Sequence, residues 1–150
     1  MSNLKEQLYK MCIAYVQARI NDARQSIEDA QDSSDEDTKS SAGDKYETGR
    51  EMMQQVADRG QAQLNEANKL MVALSTITYN TIHTKADTGS LVSTNHGKFY
   101  IAISAGTISV DAQSYFAVSP ASPIGLKLNG KAAGDEFDLN GRAYRIESVA

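Results

Sequence analysis

Two long segments of the chain share a helical pattern of apolar positions. In both, apolar residues recur at alternating spacings of three and four, which is typical of a helix that packs along another helix. The first series is Ile13, Val16, Ile20, Ala23, Ile27 and Ala30, and the second is Met53, Ala57, Gly60, Leu64, Ala67, Met71 and Leu74. The pattern predicts an antiparallel coiled-coil hairpin over residues 1–77. Its first helix should end near Ala30 and its second should run from Ser41 to about Leu74.

The stretch between the two series is polar and rich in acids. Residues 28–44 read EDAQDSSDEDTKSSAGD, and six acids fall between Glu28 and Asp37 with no base among them. A short polar stretch between two packed helices becomes the tip of their hairpin, so we predict an acidic tip at about residues 31–43. At the opposite end, the apolar face is broader than a two-helix seam needs: Leu4, Leu8, Met11, Cys12 and Tyr15. This breadth predicts that the base of the hairpin packs against the second domain.

The second half of the chain changes to short segments rich in β-branched and aromatic residues, separated by Gly, Asn and Asp. We predict strands at 91–94, 98–104, 107–110, 115–119, 135–139 and 142–149. Ser122-Pro123 predicts a capped helix start, with Gly130 ending that helix, and Asn140-Gly141 predicts a tight hairpin. Residues 78–150 are therefore expected to form a small β-rich domain with one short helix. The predicted fold class is α+β.

The charge is uneven along the chain. The net charge is −4, and residues 1–75 carry thirteen acids against nine bases, whereas residues 76–150 carry six of each. This distribution does not favour nucleic-acid binding through a basic face. The single cysteine, Cys12, excludes an internal disulfide, and its apolar surroundings indicate a small buried residue. No signal peptide or apolar run long enough to span a membrane is present, so we expect a cytoplasmic protein with no membrane partner.

Most motifs that could carry chemistry of their own are incomplete. Gly125 to Lys131 fits the first part of a phosphate-binding loop, but Ala132 stands where Ser or Thr would bind Mg²⁺. His83 and His96 have no second metal ligand at a suitable spacing. We therefore expect no cofactor of the protein's own.

The acidic stretch is the remaining candidate for chemistry. Carboxylates are hard oxygen ligands that suit Mg²⁺, commonly one or two at a time together with water and phosphate. Delivered into the active site of another enzyme, such acids could complete a Mg²⁺ shell or position water for phosphodiester hydrolysis. The candidate catalytic residues are Asp32, Asp35, Glu36, Asp37 and Asp44. Of these, Asp35 and Asp37 are the predicted ligands of a transient, shared Mg²⁺.

Several segments resemble the bacterial Gre family of transcript cleavage factors. Residues 118–125 read VSPASPIG and residues 128–135 read LNGKAAGD, which resemble that family's "ISPxSPxG" and "LxGKxxGD" segments. The closing YRIESV at 144–149 is similar to its terminal "YEIxxI" strand. DKYETGRE at 44–51 is similar to the "AEYxxAKE" opening of its second helix. The resemblance covers nearly the whole chain and is most specific in the second half.

The resemblance implies a fold and a partner. It implies an N-terminal antiparallel coiled coil and a C-terminal domain of FKBP-like fold that docks on RNA polymerase near its secondary channel. The coiled coil would enter that channel and bring tip acids to the polymerase's catalytic Mg²⁺, near the RNA 3′ end, to stimulate cleavage of backtracked RNA. The factor would then be an accessory protein and not itself an enzyme. The candidate residues for polymerase contact are Ser119, Pro120, Ser122, Pro123, Lys127 and Lys131.

The tip of this chain differs from the family's pattern "GDLSENAEY". Aligned on Tyr46 without a gap, the two family acids fall on Lys39 and Ala42, while the acids here lie earlier and at Asp44. A channel-binding factor that inhibits or modulates transcription without stimulating cleavage is therefore the first alternative. A peptidyl-prolyl isomerase and a coiled-coil adaptor are the others. The chain is expected to be a monomer, although the face around Leu8 leaves dimerisation open.

Overall fold

The computed structural model of the chain describes residues 2–39 and 43–150, with side chains for residues 4–32 and 51–150. It is α+β, as predicted: two long helices precede a mixed six-stranded sheet. The helices and strands are α1 (Ser2–Lys39), α2 (Gly43–Ser75), β1 (Leu91–Thr94), β2 (Gly97–Ile101), β3 (Gly106–Val110), β4 (Gln113–Val118), α3 (Pro123–Leu128), β5 (Glu136–Leu139) and β6 (Arg142–Val149).

Helix α1 extends further than its apolar series. The series ends at Ala30, where the sequence predicts the helix to end, but the helical backbone continues to Lys39. Residues 31–39 contain neither Gly nor Pro, so nothing in them breaks the hydrogen-bond ladder once the helix is established. Part of the predicted acidic tip is therefore helical. Helix α2 ends at Ser75, within one residue of its predicted end.

The described chain divides into two compact units that are not contiguous halves. Residues 16–71 form one unit, which we call the helical unit. Residues 1–15 and 72–150 form the other, which we call the sheet unit. The ends of both long helices thus belong with the sheet, as the broad apolar face at the hairpin base predicts. The predicted domain boundary at residue 77 marks the change in sequence pattern and stays a prediction.

Within the helical unit, most of the predicted apolar series on α1 is buried, and Ile27 is half-buried. Val16, Ile20, Ala23 and Ala30 are at most 5% exposed, and Ala67 of α2 is 3% exposed. At Gly60, an added Cβ would lie 2.8 Å from Ile27 Cγ1 and 3.3 Å from the Ala23 backbone oxygen. The absence of a side chain at Gly60 therefore allows the two helices to approach closely, as its place in the apolar series predicts.

The sheet unit is built on the strand order β3-β4-β2-β1-β6-β5. Strands β2 and β4 pair in parallel, with Phe99 opposite Phe116, and the other pairs are antiparallel. The predicted hairpin at Asn140-Gly141 joins β5 to β6, and both residues have positive φ. A second two-residue hairpin at Asp111-Ala112 joins β3 to β4, also with positive φ at both residues. The sequence did not predict this second hairpin because Ala lacks the turn preference of Gly.

Successive residues of β2 bury opposite faces of the sheet. Phe99 and Ile101 pack in a core cluster with Leu128 of α3 and Ile146 of β6. Tyr100 lies between them in sequence, so it points to the other face, and it is completely buried. The fully buried residues of the sheet unit also include Leu8 and Leu74 from the ends of the two long helices. The sheet is therefore covered on both faces.

Candidate functional site

The predicted acidic site begins on the last turns of α1. Asp32 is exposed, as are Glu28 and Asp29 before it. Asp35, Glu36 and Asp37 lie in the helical backbone that ends at Lys39, and Asp44 lies in the first turn of α2. The side chains of these last four acids lie outside the described residues, so their roles as metal or catalytic groups stay predictions.

Metal binding is not apparent elsewhere. Among the side chains of residues 4–32 and 51–150, no group of three or more His, Cys, Asp or Glu could hold a metal ion. The shared Mg²⁺ proposed for Asp35 and Asp37 concerns residues beyond that range.

The second candidate site is the turn that leads into α3. The Ser122 hydroxyl donates to the Ser119 backbone oxygen at 2.6 Å and accepts from the Gly125 N–H at 3.1 Å. Ser122 is thus the predicted N-cap, with Pro123 in the first turn. Because both hydrogen bonds stay within the turn, the Ser122 hydroxyl acts first as a structural group.

Gly125 fixes the shape of this turn. An added Cβ there would clash with the Ser119 backbone oxygen and would lie 3.0 Å from the Pro120 Cα. The residues of the turn can pack this closely on α3 only because position 125 has no side chain. The glycine of the VSPASPIG segment therefore has a steric role, which the sequence pattern alone did not reveal.

The outer surface of the same turn is apolar with one cation. Pro120, Pro123 and Lys127 are exposed, and Leu126 is 66% exposed beside them in sequence. The structure thus leaves three of the predicted contact residues accessible, whereas Ser119, Ser122 and Lys131 are half-buried. Leu126 was not among the predicted contacts. Its exposure could have been anticipated from the helical spacing, since Gly125 and Leu128 occupy the buried side of α3.

The cysteine has the structural role that its surroundings predict. Cys12 is fully buried, and this burial raises the pKa of its thiol to about 11. The thiol therefore stays protonated at neutral pH and is a poor nucleophile. Tyr100 is buried beside it, and burial, followed by the influence of Cys12 and Tyr9, raises the pKa of its hydroxyl.

The segment between α2 and β1, residues 76–90, connects several parts of the sheet unit. We call it the connecting segment. Its Thr81 backbone oxygen accepts a hydrogen bond from Lys5 Nζ at 2.6 Å, and the Tyr79 ring lies 5.2 Å from the Tyr9 ring. Ala86 N donates to the Lys131 backbone oxygen at 2.7 Å. The segment thus joins the first turns of α1 to the end of α3, although it has almost no regular secondary structure.

Two depressions accompany these features. A groove of about 240 Å³ in the helical unit is lined by Arg19, Asp22, Gln63 and Ala67. A shallow depression of about 430 Å³ lies along the connecting segment. Its lining consists of Ile82, His83, Thr84, Lys85, Ala86, Asp87, Asn129 and Gly130. Neither brings together groups that form a recognisable catalytic arrangement.

Comparison with known proteins does not assign a family. No protein-family model, no curated protein and no solved structure matches the chain. Within residues 2–39 and 43–150, neither long helix has an apolar stretch sufficient to cross a membrane. The cytoplasmic location stays a prediction.

Proposed function

We propose that this chain is an RNA polymerase-binding factor of the Gre type. In this proposal α1 and α2 form an antiparallel coiled coil that enters the secondary channel of the polymerase. The acids near the end of α1 then act at the catalytic Mg²⁺ and stimulate cleavage of backtracked RNA by the polymerase. The sheet, with an FKBP-like fold, docks on the enzyme through the turn before α3. The main support is a long, continuous helix whose exposed acids Glu28, Asp29 and Asp32 lead into the acid-rich sequence of residues 33–37.

The contacts of the helical unit support an antiparallel pairing. Ile27 lies against Gly60, and Arg19 lines a groove together with Ala67. As the residue number increases along α1, the residue number of the facing position on α2 decreases. At 1.5 Å per residue, the 38 residues of α1 correspond to about 57 Å of helix. This length suits an element that must carry groups deep into a channel.

The acidic end supports a role at a metal. Glu28, Asp29 and Asp32 are exposed in the last described turns, and three further acids follow before Lys39. Like charges at this density repel one another, so they do not stabilise the helix. Near the C-terminus of a helix acids are also less favourable than bases would be, because the helix dipole is negative there. A cation supplied by a partner would relieve both effects.

Cleavage of RNA in a stalled, backtracked complex of the cognate polymerase tests the proposal. The tip variant carries Asn or Gln at Asp32, Asp35, Glu36, Asp37 and Asp44. The control variant makes a similar charge change at the exposed shaft acids Asp22, Glu51, Asp58 and Glu66. We expect intact protein and control to accelerate cleavage about 10²-fold or more over polymerase alone, the scale of a metal-assisted or acid–base contribution. The tip variant should lose this acceleration.

Other results would favour the alternatives. Slower elongation that depends on the tip acids, without cleavage, would indicate an inhibitory channel factor. Loss of acceleration in both variants would show that the total charge of the helices matters and that the position of the acids does not. Absence of polymerase binding would exclude the whole proposal.

Polymerase binding by the α3 turn is tested separately. Replacing Leu126 and Lys127 with Ser removes an exposed apolar group and a cation without touching the Ser122 cap. We expect weaker binding to polymerase with unchanged thermal stability. Unchanged binding would show that Leu126 and Lys127 are not part of the docking surface.

A further inference from the structure

Lys5 is a buried cation near the start of α1. It is 5% exposed, and its Nζ donates to the backbone oxygens of Thr81 at 2.6 Å and Ala150 at 3.2 Å. Buried lysines are rare unless paired, because removing an ammonium from water is costly. Burial accordingly lowers the pKa of Lys5. Two backbone carbonyls, from the connecting segment and from the residue after β6, hold this charge in place.

His83 lies two residues after Thr81, in the same connecting segment. Its Nε2 is enclosed and has no hydrogen-bond partner among the described residues. A Cβ added to Gly89 would lie 3.8 Å from this nitrogen, so Nε2 is directed toward the backbone of its own segment. A protonated imidazole carries an N–H at both ring nitrogens. Protonation would therefore leave a charged donor at Nε2 without a hydrogen-bond partner, which is costly because this nitrogen is enclosed even though the residue is half-buried.

We propose that Lys5 and His83 form an acid-sensitive latch that holds the first turns of α1 on the connecting segment. Protonation of His83 adds a second positive charge to the segment that holds the buried ammonium, and it adds a donor at Nε2, which has no hydrogen-bond partner among the described residues. The connecting segment then opens so that the imidazolium reaches water. Because the Thr81 oxygen that holds Lys5 belongs to that segment, the opening releases the N-terminal turns of α1.

The charges around His83 favour this direction. Burial is the largest influence and lowers the pKa of the ring, and the Lys5 ammonium lowers it further. Asp87, on the same segment, acts in the opposite direction. The Asp87 carboxylate accepts a hydrogen bond from the Thr88 N–H at 2.7 Å, so part of its charge is already engaged. Neutral His83 is the form that the folded segment accommodates.

The sign of the pH effect follows from this preference. In the unfolded chain the pKa of a histidine is about 6.5, and in the folded chain that of His83 is lower. The stability that depends on neutral His83 is therefore fully present above about pH 6.5 and is lost as the pH falls below it. Each unit of pKa depression makes opening on acidification up to tenfold more favourable.

Amide hydrogen exchange of the full chain at about pH 8 and about pH 5 measures the latch. After correction for intrinsic exchange rates, we expect residues 4–12 and 76–90 to lose protection on the order of tenfold at the lower pH. Strands β2 and β4 should keep theirs. Equal protection of residues 4–12 at both pH values would overturn the proposal.

The two histidines of the chain provide a matched pair of variants. His83→Gln removes the titrating group and should abolish the acid-dependent loss of protection. His96→Gln should leave that loss unchanged, because the His96 ring is exposed and lies 3.0 Å from the Ala143 oxygen, away from Lys5. If His83→Gln loses protection at low pH as the unmodified protein does, the proposed latch at His83 does not exist.

A third variant serves if His83→Gln folds poorly. Lys5→Met removes the Lys5 ammonium, so the pKa of His83 should rise. The NMR signals of the His83 ring measure this pKa. Lys10→Met removes an exposed cation that pairs with Glu6 and should not shift it. A His83 titration that ignores both substitutions would refute the coupling between the two residues.

Discussion

The helical unit and the sheet unit bury their apolar residues in different ways. The seam of the helical unit combines many small residues with a few branched ones: Ala23, Ala30, Gly60 and Ala67 are buried, as are Val16 and Ile20. The sheet unit buries larger side chains on both faces of one sheet. They include Leu8, Leu74, Tyr100, Ile101, Ile103, Leu128 and Ile146, each less than 2% exposed.

This difference has an energetic consequence. Burial of apolar area contributes roughly 25 cal/mol per Å², so small seam residues contribute little each. The helical unit adds local support, since Gln at one position repeatedly bonds Asn or Asp four residues later. The pairs are Gln17–Asn21, Gln25–Asp29, Gln54–Asp58 and Gln61–Asn65. Each such pair contributes about 0.2–0.5 kcal/mol. The helical unit thus keeps most of its surface for solvent or a partner, and the sheet unit supplies the densely packed part.

A substitution in the tightest contact of the sheet unit should have the largest effect on stability. Gly125→Ala places a Cβ against the Ser119 backbone oxygen, which cannot move aside as a side chain could. We expect the free energy of unfolding to fall by about 3 kcal/mol. Denaturant unfolding measures the change. Leu126→Ala, one residue along on the exposed side of α3, is the control and should change it little. A loss under about 1 kcal/mol for Gly125→Ala would show that the turn before α3 adapts.

The corresponding glycine of the helical unit should be more tolerant. Gly60→Ala meets the Ile27 side chain and, less closely, the Ala23 oxygen, while alanine also favours the helix by about 1 kcal/mol. We expect a net loss of about 1–2 kcal/mol, smaller than that of Gly125→Ala. The control is Asn68→Ala, on the exposed side of α2, which raises the helix propensity without adding a contact between the helices. If both variants gain stability equally, the helices do not approach closely at Gly60.

The smallest expected effect is a gain, at the β3–β4 turn. Ala112 has φ of 65°, a left-handed conformation that costs an L-residue about 1 kcal/mol. Ala112→Gly creates Asp-Gly, a preferred pair for this turn type, and should raise the free energy of unfolding by about 0.5–1 kcal/mol. The matched reverse change, Gly141→Ala in the β5–β6 turn, should lower it by a similar amount, since Gly141 has φ of 79° and open space around its Cα. A loss on Ala112→Gly would contradict this view of the turn.

Much of this fold could be predicted because its signals are local. The apolar series of α1 depends only on helical spacing, and its members Val16 and Ile20 are indeed buried. The Ser122 cap and the Asn140-Gly141 turn also follow from residue types with a specific backbone preference. In each case the physical cause lies within a few residues of the feature.

Features that depend on distant parts of the chain could not be predicted. The sequence around Lys5 indicates a surface lysine, yet its hydrogen-bond acceptors are 76 and 145 residues away. The parallel pairing of β2 with β4 and the burial of Tyr100 on the face opposite Phe99 and Ile101 depend on the sheet topology. The acidic end of α1 was predicted as a loop because its composition is polar, but a polar segment without a helix breaker can remain helical.

The long reach of Lys5 also bears on the order in which the chain acquires structure during synthesis. In sequence, the helical unit (residues 16–71) lies between the two segments of the sheet unit, so its helices can pair before residues 72–150 are made. The first turns of α1 are made well before their hydrogen-bonding partners at Thr81 and Ala150. Contacts between residues distant in sequence form slowly. Leu8 and Cys12 therefore become buried only after the later residues of the sheet unit pack on them. During synthesis these two side chains therefore stay accessible to a chaperone until the residues of the sheet have been made.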